Sequence, residues 1–340
     1  MLVLDADAVR RLHPMKESIA LMRAALQKFS AGAVIQPQRA MLRAPGGDAF
    51  AVMPAVVTAG EHAAEEEAGL GGFGVKVVAV KPGNPALGFP AILGLVLVLD
   101  ERGVPDALMD GGAVTAIRTA AASGAATDLL AREDAGTLAL LGSGVQARSH
   151  LEAMAAVRDL SRVRVWSRDP ERARAFADEA AAFPFPVEPA DTVARATSDA
   201  DIICTVTGSV EPLLLDGHVA AGAHINAVGS CFPDHRELSG ALVARCSVFV
   251  DSRAAAQAEA GDLLMAAAEG HIASGAVGAE VGEVLLGLAP GRRKPEETTL
   301  FKSLGLAVED VVAGLDIARR ARELSLGVEV PFLDPRGADD

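Results

Sequence analysis

The sequence predicts an α/β protein in which a doubly wound parallel sheet follows an α+β domain whose own sheet is mostly antiparallel. Three observations carry that expectation. The chain has 340 residues, more than one hydrophobic core usually spans, so two domains are expected. From residue 137 onward strand-like and helix-like patterns alternate, which is how a parallel sheet with crossover helices reads. Before that, short apolar runs follow one another between Gly, Pro and Asp punctuation, the pattern of antiparallel neighbours.

The elements follow in order. Residues 14 to 31 read as a helix: Pro14 stands at a first-turn position, Ile19, Leu21, Met22, Ala25 and Leu26 recur at helical spacing, and Gly32 ends the run. Strands are expected at 40–42, 50–53, 74–80, 92–100 and 105–109. Residues 55 to 73, with Glu65, Glu66 and Glu67 and several glycines, read as a polar loop. A helix rich in small residues spans 115–130 and leads into the second domain. There, strands are expected at 137–141, 162–166, 202–205, 223–228 and 248–250, and helices at 146–157 and 170–181. The last periodic segment, 306–324, is amphipathic and is expected to return to the first domain. The domains expected are therefore 1–119 with 306–340, and 120–305.

Composition excludes several classes of function. Half the residues are hydrophobic and 22% are charged, as in a compact globular protein. The net charge is −14 and no Lys/Arg cluster stands out, which argues against nucleic acid as a partner. Cys204, Cys231 and Cys246 are too scattered for a disulfide framework or a zinc site, so no metal is expected. Met1-Leu2-Val3-Leu4-Asp5 has no basic start before an apolar run, and residues 91–99 are too few to span a bilayer. The expectation is a cytoplasmic protein without a membrane partner.

One motif carries chemistry. Gly142-Ser143-Gly144-Val145-Gln146-Ala147 follows a strand and opens a helix, the context that makes a Gly-x-Gly-x-x-Ala run a dinucleotide site on a Rossmann domain. Gly142 permits the turn, Gly144 lets the backbone approach a pyrophosphate, and Ala147 lets helix and strand pack closely. The helix N-terminus adds free N–H groups and a positive dipole end. The following strand ends in Trp166-Ser167-Arg168-Asp169. An acid at that strand end would bind a ribose 2′-hydroxyl; Ser167 and Arg168 suit a 2′-phosphate, so NADP(H) is favoured and NAD(H) is the alternative. A register shift of one position would put Asp169 there instead, and Arg168 would then be a solvated surface charge.

Three cations mark the first domain. Lys76 lies in an otherwise apolar strand, where an ammonium must reach solvent or pair with an anion. Arg118 stands among small residues, and Arg39 follows Pro37-Gln38. Each alone is more often structural. Together they have the makings of a carboxylate clamp, with Arg bidentate and Lys a point charge.

At these residues the chain resembles the ornithine cyclodeaminase/μ-crystallin family, nearly end to end. The matching segments are Pro37-Gln38-Arg39, Met53-Pro54, Gly74-Val75-Lys76, Met109-Asp110-Gly111, Thr115-Ala116-Ile117-Arg118-Thr119-Ala120-Ala121, the Gly142–Ala147 run, His224-Ile225-Asn226-Ala227-Val228-Gly229, Glu237-Leu238, Val250-Asp251-Ser252 and Lys302-Ser303-Leu304-Gly305. The resemblance implies a two-domain subunit, with a Rossmann domain and a domain built from both chain ends that binds substrate and dimerises through its sheet. It implies substrate binding around Arg39, Met53, Lys76, Arg118 and Cys231, with Lys76 and Arg118 acting in catalysis. It places the cofactor over Gly142, Ser143, Gly144, Val145 and Gln146, beside Ser167 and Arg168, and near Thr205-Val206-Thr207, Val228-Gly229 and Lys302-Ser303.

Departures select a branch. The cyclodeaminases of the family carry an Asp where this chain has Cys231 and a Glu where it has Ala51. Both carboxylates that would engage a diamine are absent, and a neutral thiol cannot hold an ammonium. Cys231 reads as a small packing residue in preference to a nucleophile. Cys231-Phe232-Pro233-Asp234-His235-Arg236-Glu237-Leu238 is similar instead to the ketimine and 1-pyrroline-2-carboxylate reductase branch. That implies NAD(P)H-dependent reduction of a cyclic imine carboxylate to a cyclic amino acid, with Arg39 and Arg118 on the carboxylate and Lys76 relaying a proton. The alternatives are an ornithine cyclodeaminase that recycles NAD, an alanine-type L-amino-acid dehydrogenase, and a non-catalytic cofactor-binding crystallin.

Overall fold

The structure, a computed structural model, describes residues 1–58 and 71–332. The chain divides into two compact units, one formed by Met1–Arg118 with the segment from Leu306, the other by Thr119–Gly305. The division falls inside a helix, Gly111–Leu130.

The first unit opens with β1 (Leu2–Leu4), α1 (Ala6–Leu12) and α2 (Met15–Ser30), followed by β2 (Val34–Ile35), β3 (Ala40–Arg43), β4 (Ala49–Val57), β5 (Gly72–Val80), β6 (Ile92–Leu99) and β7 (Pro105–Asp110). Its sheet runs C-terminal strand (Val328–Glu329), β1, β7, β6, β5, β4, β2, with β3 also on β4. Among the described residues only the β1–β7 pairing is parallel. The mostly antiparallel sheet expected from the punctuation is what forms. Pro14 is the residue before α2 and not part of its first turn. The expected polar loop at 55–73 is corrected at both ends. Ala55 and Val57 continue the buried alternation of β4, and β5 begins at Gly72. Residues 59–70, with Glu65, Glu66 and Glu67, lie outside the described residues.

The C-terminal helix, Ala307–Glu323, packs across one face of this sheet and against α2. The approach is close: a Cβ on Gly314 would stand 2.7 Å from Val98 Cγ1. The covered face carries Ala51 and Met53 on β4, Lys76 on β5, Val96 and Val98 on β6, and Ala107 and Met109 on β7, all buried. The other face is apolar too, through Phe50, Phe73, Leu93 and Leu95, yet these are 40–51% exposed.

The second unit is a parallel sheet. Four strands matter for the site: β8 (Thr137–Leu141), β9 (Arg162–Trp166), β11 (Ile202–Thr205) and β12 (His224–Ala227); between them in the chain lies β10 (Val187–Ala190). The order β10–β9–β8–β11–β12 continues through Thr299–Lys302 to Ser247–Val250 and Ala279–Glu280, with every pairing parallel. The doubly wound α/β sheet is thus present, and strand order reverses between β8 and β11, where such sheets bind ligands at the carboxyl ends of the strands. Thr299–Lys302, inserted beside β12, is four buried residues after a polar stretch, too short to show a period. Among the described residues no helix is long and apolar enough to cross a membrane.

Candidate functional site

The glycine loop has the geometry its sequence asks for. Gly142 has φ +126°, and a Cβ there would meet the Val206 carbonyl oxygen at 2.8 Å. Its N–H donates to the Trp166 carbonyl at 2.8 Å, and the Val206 N–H donates to the Leu141 carbonyl at 2.9 Å. The turn is thereby fastened to both neighbouring strand ends. Gly144 is the N-cap of the helix Val145–Val157, and nothing lies within 4 Å of where its Cβ would stand. That open space over a helix N-terminus fits a pyrophosphate. Ala147 is fully buried, and Val145 is exposed.

The end of β9 settles the register of the next loop. Ser167 Oγ lies 3.1 Å from Ser143 Oγ. Asp169 is the N-cap of Pro170–Glu179 and accepts the Glu171 N–H at 3.0 Å. Its carboxylate is committed to that helix start, while Arg168 is exposed and makes no ion pair among the described residues.

Beyond β11 and β12, one buried carboxylate gathers two loops. Glu237 accepts the Thr205 hydroxyl (2.7 Å), the Thr207 N–H (2.7 Å), the Thr207 hydroxyl (2.7 Å) and the Gly229 N–H (2.8 Å). Asp262 accepts the Glu237 and Leu238 N–H groups at 2.8 and 3.0 Å, and its other oxygen lies 3.0 Å from Lys302 Nζ. Burial, and then the charge of Asp262, push the Glu237 carboxyl up, against the Thr207, Lys302 and Thr205 contacts. Thr205 and Lys302 are wholly buried. The Thr205 hydroxyl is bound to Glu237 and the Lys302 ammonium is paired with Asp262. Val206, Thr207, Val228 and Gly229 are partly exposed. Ser303 is buried, and its hydroxyl has no hydrogen-bond partner among the described residues.

In the first unit, Lys76 and Arg118 converge on the first turn of the C-terminal helix. Lys76 Nζ lies 2.7 Å from Asp310 Oδ2. Arg118 donates through Nε to Asp310 Oδ1 at 2.9 Å and through Nη1 to Glu309 Oε2 at 2.6 Å. All four side chains are buried, and Arg118 Nη2 makes no hydrogen bond among the described residues. Burial, joined by the positive charges of Arg118 and Arg39 and opposed by Asp310, lowers the Lys76 ammonium to about 8. Burial pushes the Asp310 carboxyl up, but Arg118 and Lys76 outweigh it and hold it below the usual carboxylate range. Met53 is directly across the strand pair from Lys76. Arg39 sits in the loop before β3, half-buried. That loop is anchored by Gln36, whose Oε1 accepts the Val308 N–H at the same helix start (2.9 Å). So Arg39, Met53, Lys76 and Arg118 form one neighbourhood, and each is a residue the sequence pointed to.

A model of the ornithine cyclodeaminase/mu-crystallin family matches residues 1–324. The chain belongs to that family. It is 39% identical over 336 residues to a Delta(1)-pyrroline-2-carboxylate reductase of Bacillus cereus, covering 98% of this chain and 100% of that one. It is 40% identical over 297 residues to the ketimine reductase mu-crystallin of Mus musculus, covering 86% and 88%. Among solved structures, the Delta(1)-pyrroline-2-carboxylate reductase of Thermococcus litoralis, in complex with NADH and L-proline, superposes with a TM-score of 0.91 at 34% identity, covering 97% and 100%.

Ala51 and Cys231, where the sequence reading expects a departure from the cyclodeaminase pattern, are both packed against their own units. Ala51 is buried on the helix-covered face of β4. Cys231 is half-buried against the hydrophobic core of the Rossmann unit, as a small packing residue would be. Nearby, Arg236 pairs with Glu269 at 2.6 Å, and the buried His224 ring bonds Thr299 Oγ1 at 2.9 Å. Glu309, Asp310, Glu237 and Asp262 escaped sequence reasoning as site residues. Glu309-Asp310 had a local signal: two adjacent acids at the start of a periodic segment, directly before the apolar Val311, Val312 and Ala313. Asp262 had none.

Proposed function

We propose that this protein is a cytoplasmic, homodimeric NAD(P)H-dependent reductase that converts a cyclic imine carboxylate, of the 1-pyrroline-2-carboxylate or ketimine type, to a cyclic amino acid. The observation that carries the reading is the buried Lys76–Asp310–Arg118–Glu309 cluster. It offers a guanidinium with an uncommitted edge beside an amine that can release a proton near neutral pH. The similarity to two named imine reductases supports it.

When bound, the dinucleotide supplies the hydride for the C=N carbon. The protein residues then have distinct tasks. Gly142, Ser143, Gly144, Val145 and Gln146 hold the pyrophosphate at the helix start, and Val206, Thr207, Val228 and Gly229 border the cofactor. The unpartnered Ser303 hydroxyl is placed to satisfy a polar group of a ligand. Ser167 and Arg168, with Asp169 withdrawn as a cap, favour a 2′-phosphate and hence NADPH over NADH. Arg118 and Arg39 hold the substrate carboxylate, Met53 packs near it, and Lys76 delivers a proton to the imine nitrogen. At Cys231 and Ala51 the chain offers no carboxylate to a diamine.

Purified protein should oxidise NADPH in the presence of 1-pyrroline-2-carboxylate or 1-piperideine-2-carboxylate. Release of ammonia from ornithine without net dinucleotide turnover would instead identify a cyclodeaminase. Tight dinucleotide binding with no turnover of any imine or amino acid would identify a binding protein.

A further inference from the structure

We infer that Asp310 and Glu309 are positioning residues with separate tasks: Asp310 holds the Lys76 ammonium for proton delivery, and Glu309 fixes Arg118 for carboxylate binding. This rests on the reduction proposed above.

The argument begins with what the two acids do not do. A buried ion pair seldom repays its desolvation, and well-packed apolar residues of similar size often serve stability as well or better. The C-terminal helix also buries Asp316, which pairs with Arg319 and Arg320 one turn on, and its other buried positions are apolar, as at Val308, Val311, Val312 and Ala313. Two buried carboxylates there call for another reason. Their location reduces their cost, since acids in a first turn face the positive end of the helix dipole.

Geometry separates the tasks. Adjacent helix positions point about 100° apart, so neighbouring acids reach different partners. Asp310 stands between two cations, with Oδ2 on Lys76 Nζ (2.7 Å) and Oδ1 on Arg118 Nε (2.9 Å). Without it, Lys76 and Arg118 would repel one another in a buried setting. Glu309 Oε2 accepts from Arg118 Nη1 (2.6 Å), and among the described residues the ion pair of Lys76 is with Asp310. Held at Nε and Nη1, the guanidinium presents its Nη2 edge in one orientation. The charged groups acting on Lys76 are thus Asp310 from the helix, Arg118 from Gly111–Leu130 and Arg39 from the loop before β3.

The step served is balanced. The imine carbon accepts the hydride pair from the dinucleotide, the C=N π bond opens, and a new N–H bond forms as a Lys76 Nζ–H bond breaks. Lys76 then regains a proton from water.

The test is the pH dependence of NADPH-linked imine reduction in wild type, Lys76→Met, Asp310→Asn and Glu309→Gln. In Asp310→Asn the alkaline fall of kcat/KM should move to lower pH by on the order of one unit, because the counter-charge that keeps Lys76 protonated is gone. In Glu309→Gln the KM for the imine should rise about tenfold, the scale of one weakened charged hydrogen bond, with the alkaline fall in place. An alkaline fall unmoved by Asp310→Asn, or moved equally by Glu309→Gln, overturns the division of tasks. Should the Asn variant not fold, Glu309→Gln still decides: a raised KM with a fixed alkaline fall supports it, and a moved fall overturns it. Failure of the underlying reading looks different. Wild type would then not reduce the imine, or Lys76→Met would keep the wild-type alkaline fall.

Discussion

Glu237 accepts both the amide and the hydroxyl of Thr207, each at 2.7 Å. The same carboxylate takes the Thr205 hydroxyl and the Gly229 amide, so one side chain ties the loops after β11 and β12 at the switch point of the sheet. Glu237→Ala leaves four donors, the buried Thr205 hydroxyl among them, without their acceptor. It should lower stability by about 3 kcal/mol and weaken dinucleotide binding, since the loops it ties border the proposed cofactor site. Thermal melts with and without NADPH, beside a fluorescence titration, check this. Wild-type melting and affinity together would remove the clamp role.

Lys76 couples activity and stability to pH in opposite senses. Its ammonium is lowered from an ordinary 10.5 to about 8, first by burial. As a proton donor it must be charged, so kcat/KM for imine reduction should decline by about tenfold per pH unit above the lowered value. Between about 8 and 10.5 the unfolded chain binds more protons at this site than the folded one. The contribution of Lys76 to stability therefore rises with pH across that window. Denaturant midpoints of wild type and Lys76→Met, compared at the two ends of the window, isolate it. A difference that shrinks in wild type's disfavour at high pH contradicts the sign.

Arg118 carries the carboxylate on this reading, and it is also the partner of two buried acids. Arg118→Ala should cost a few kcal/mol of transition-state binding with a cyclic imine carboxylate, on the scale of lost charged hydrogen bonds. It should also destabilise the fold, by removing the Arg118 hydrogen bonds from the buried Glu309 and Asp310 carboxylates. Unchanged catalytic efficiency sinks the assignment.

The sequence made some of this visible and hid the rest for physical reasons. The strands at 137–141, 162–166 and 202–205 appear where their patterns put them, because each is a run of apolar residues bounded by turn chemistry. Lys76 announced itself by breaking an apolar strand, and the structure supplies the anion it needed, Asp310. The partner itself lies 234 positions later in the chain (310 − 76 = 234), a distance no local pattern spans. Lys302 shows the complementary case: a family motif marked the position, and the structure pairs its buried ammonium with Asp262, 40 positions earlier, which no local pattern indicates (302 − 262 = 40). Strands as short as Leu2–Leu4 and Val328–Glu329 are defined by their neighbours in the sheet and have no period of their own.

Cofactor choice is testable at one residue. Arg168 is exposed beside Ser167, and the acid that would favour a 2′-hydroxyl is used as a helix cap. Arg168→Ala should weaken NADPH about 10- to 100-fold, the scale of a charge-assisted contact, and leave NADH nearly unchanged. Paired KM values for the two dinucleotides measure it. Equal losses for both would assign Arg168 a structural role.

The face of the first unit's sheet opposite the C-terminal helix supports the proposed homodimer, and it allows a sharp test. Val52, Val77 and Leu95 lie in register across β4, β5 and β6, and Val56, Phe73 and Leu99 form a parallel row. Leu95 is 51% and Phe73 40% exposed, although both stand in the middle of a sheet and not at an edge. A monomer seldom leaves a contiguous apolar patch of this kind open, and a second copy of the same face would bury it symmetrically. Leu95→Asp places a charge at the centre of the patch while pointing away from the helix-covered face, so the fold should survive. The expected result is a dimer for wild type and a monomer for Leu95→Asp by sedimentation, with melting of the variant dependent on protein concentration far less than that of wild type. A wild-type monomer, or a Leu95→Asp dimer of wild-type strength, would show that some other surface covers or spares this face.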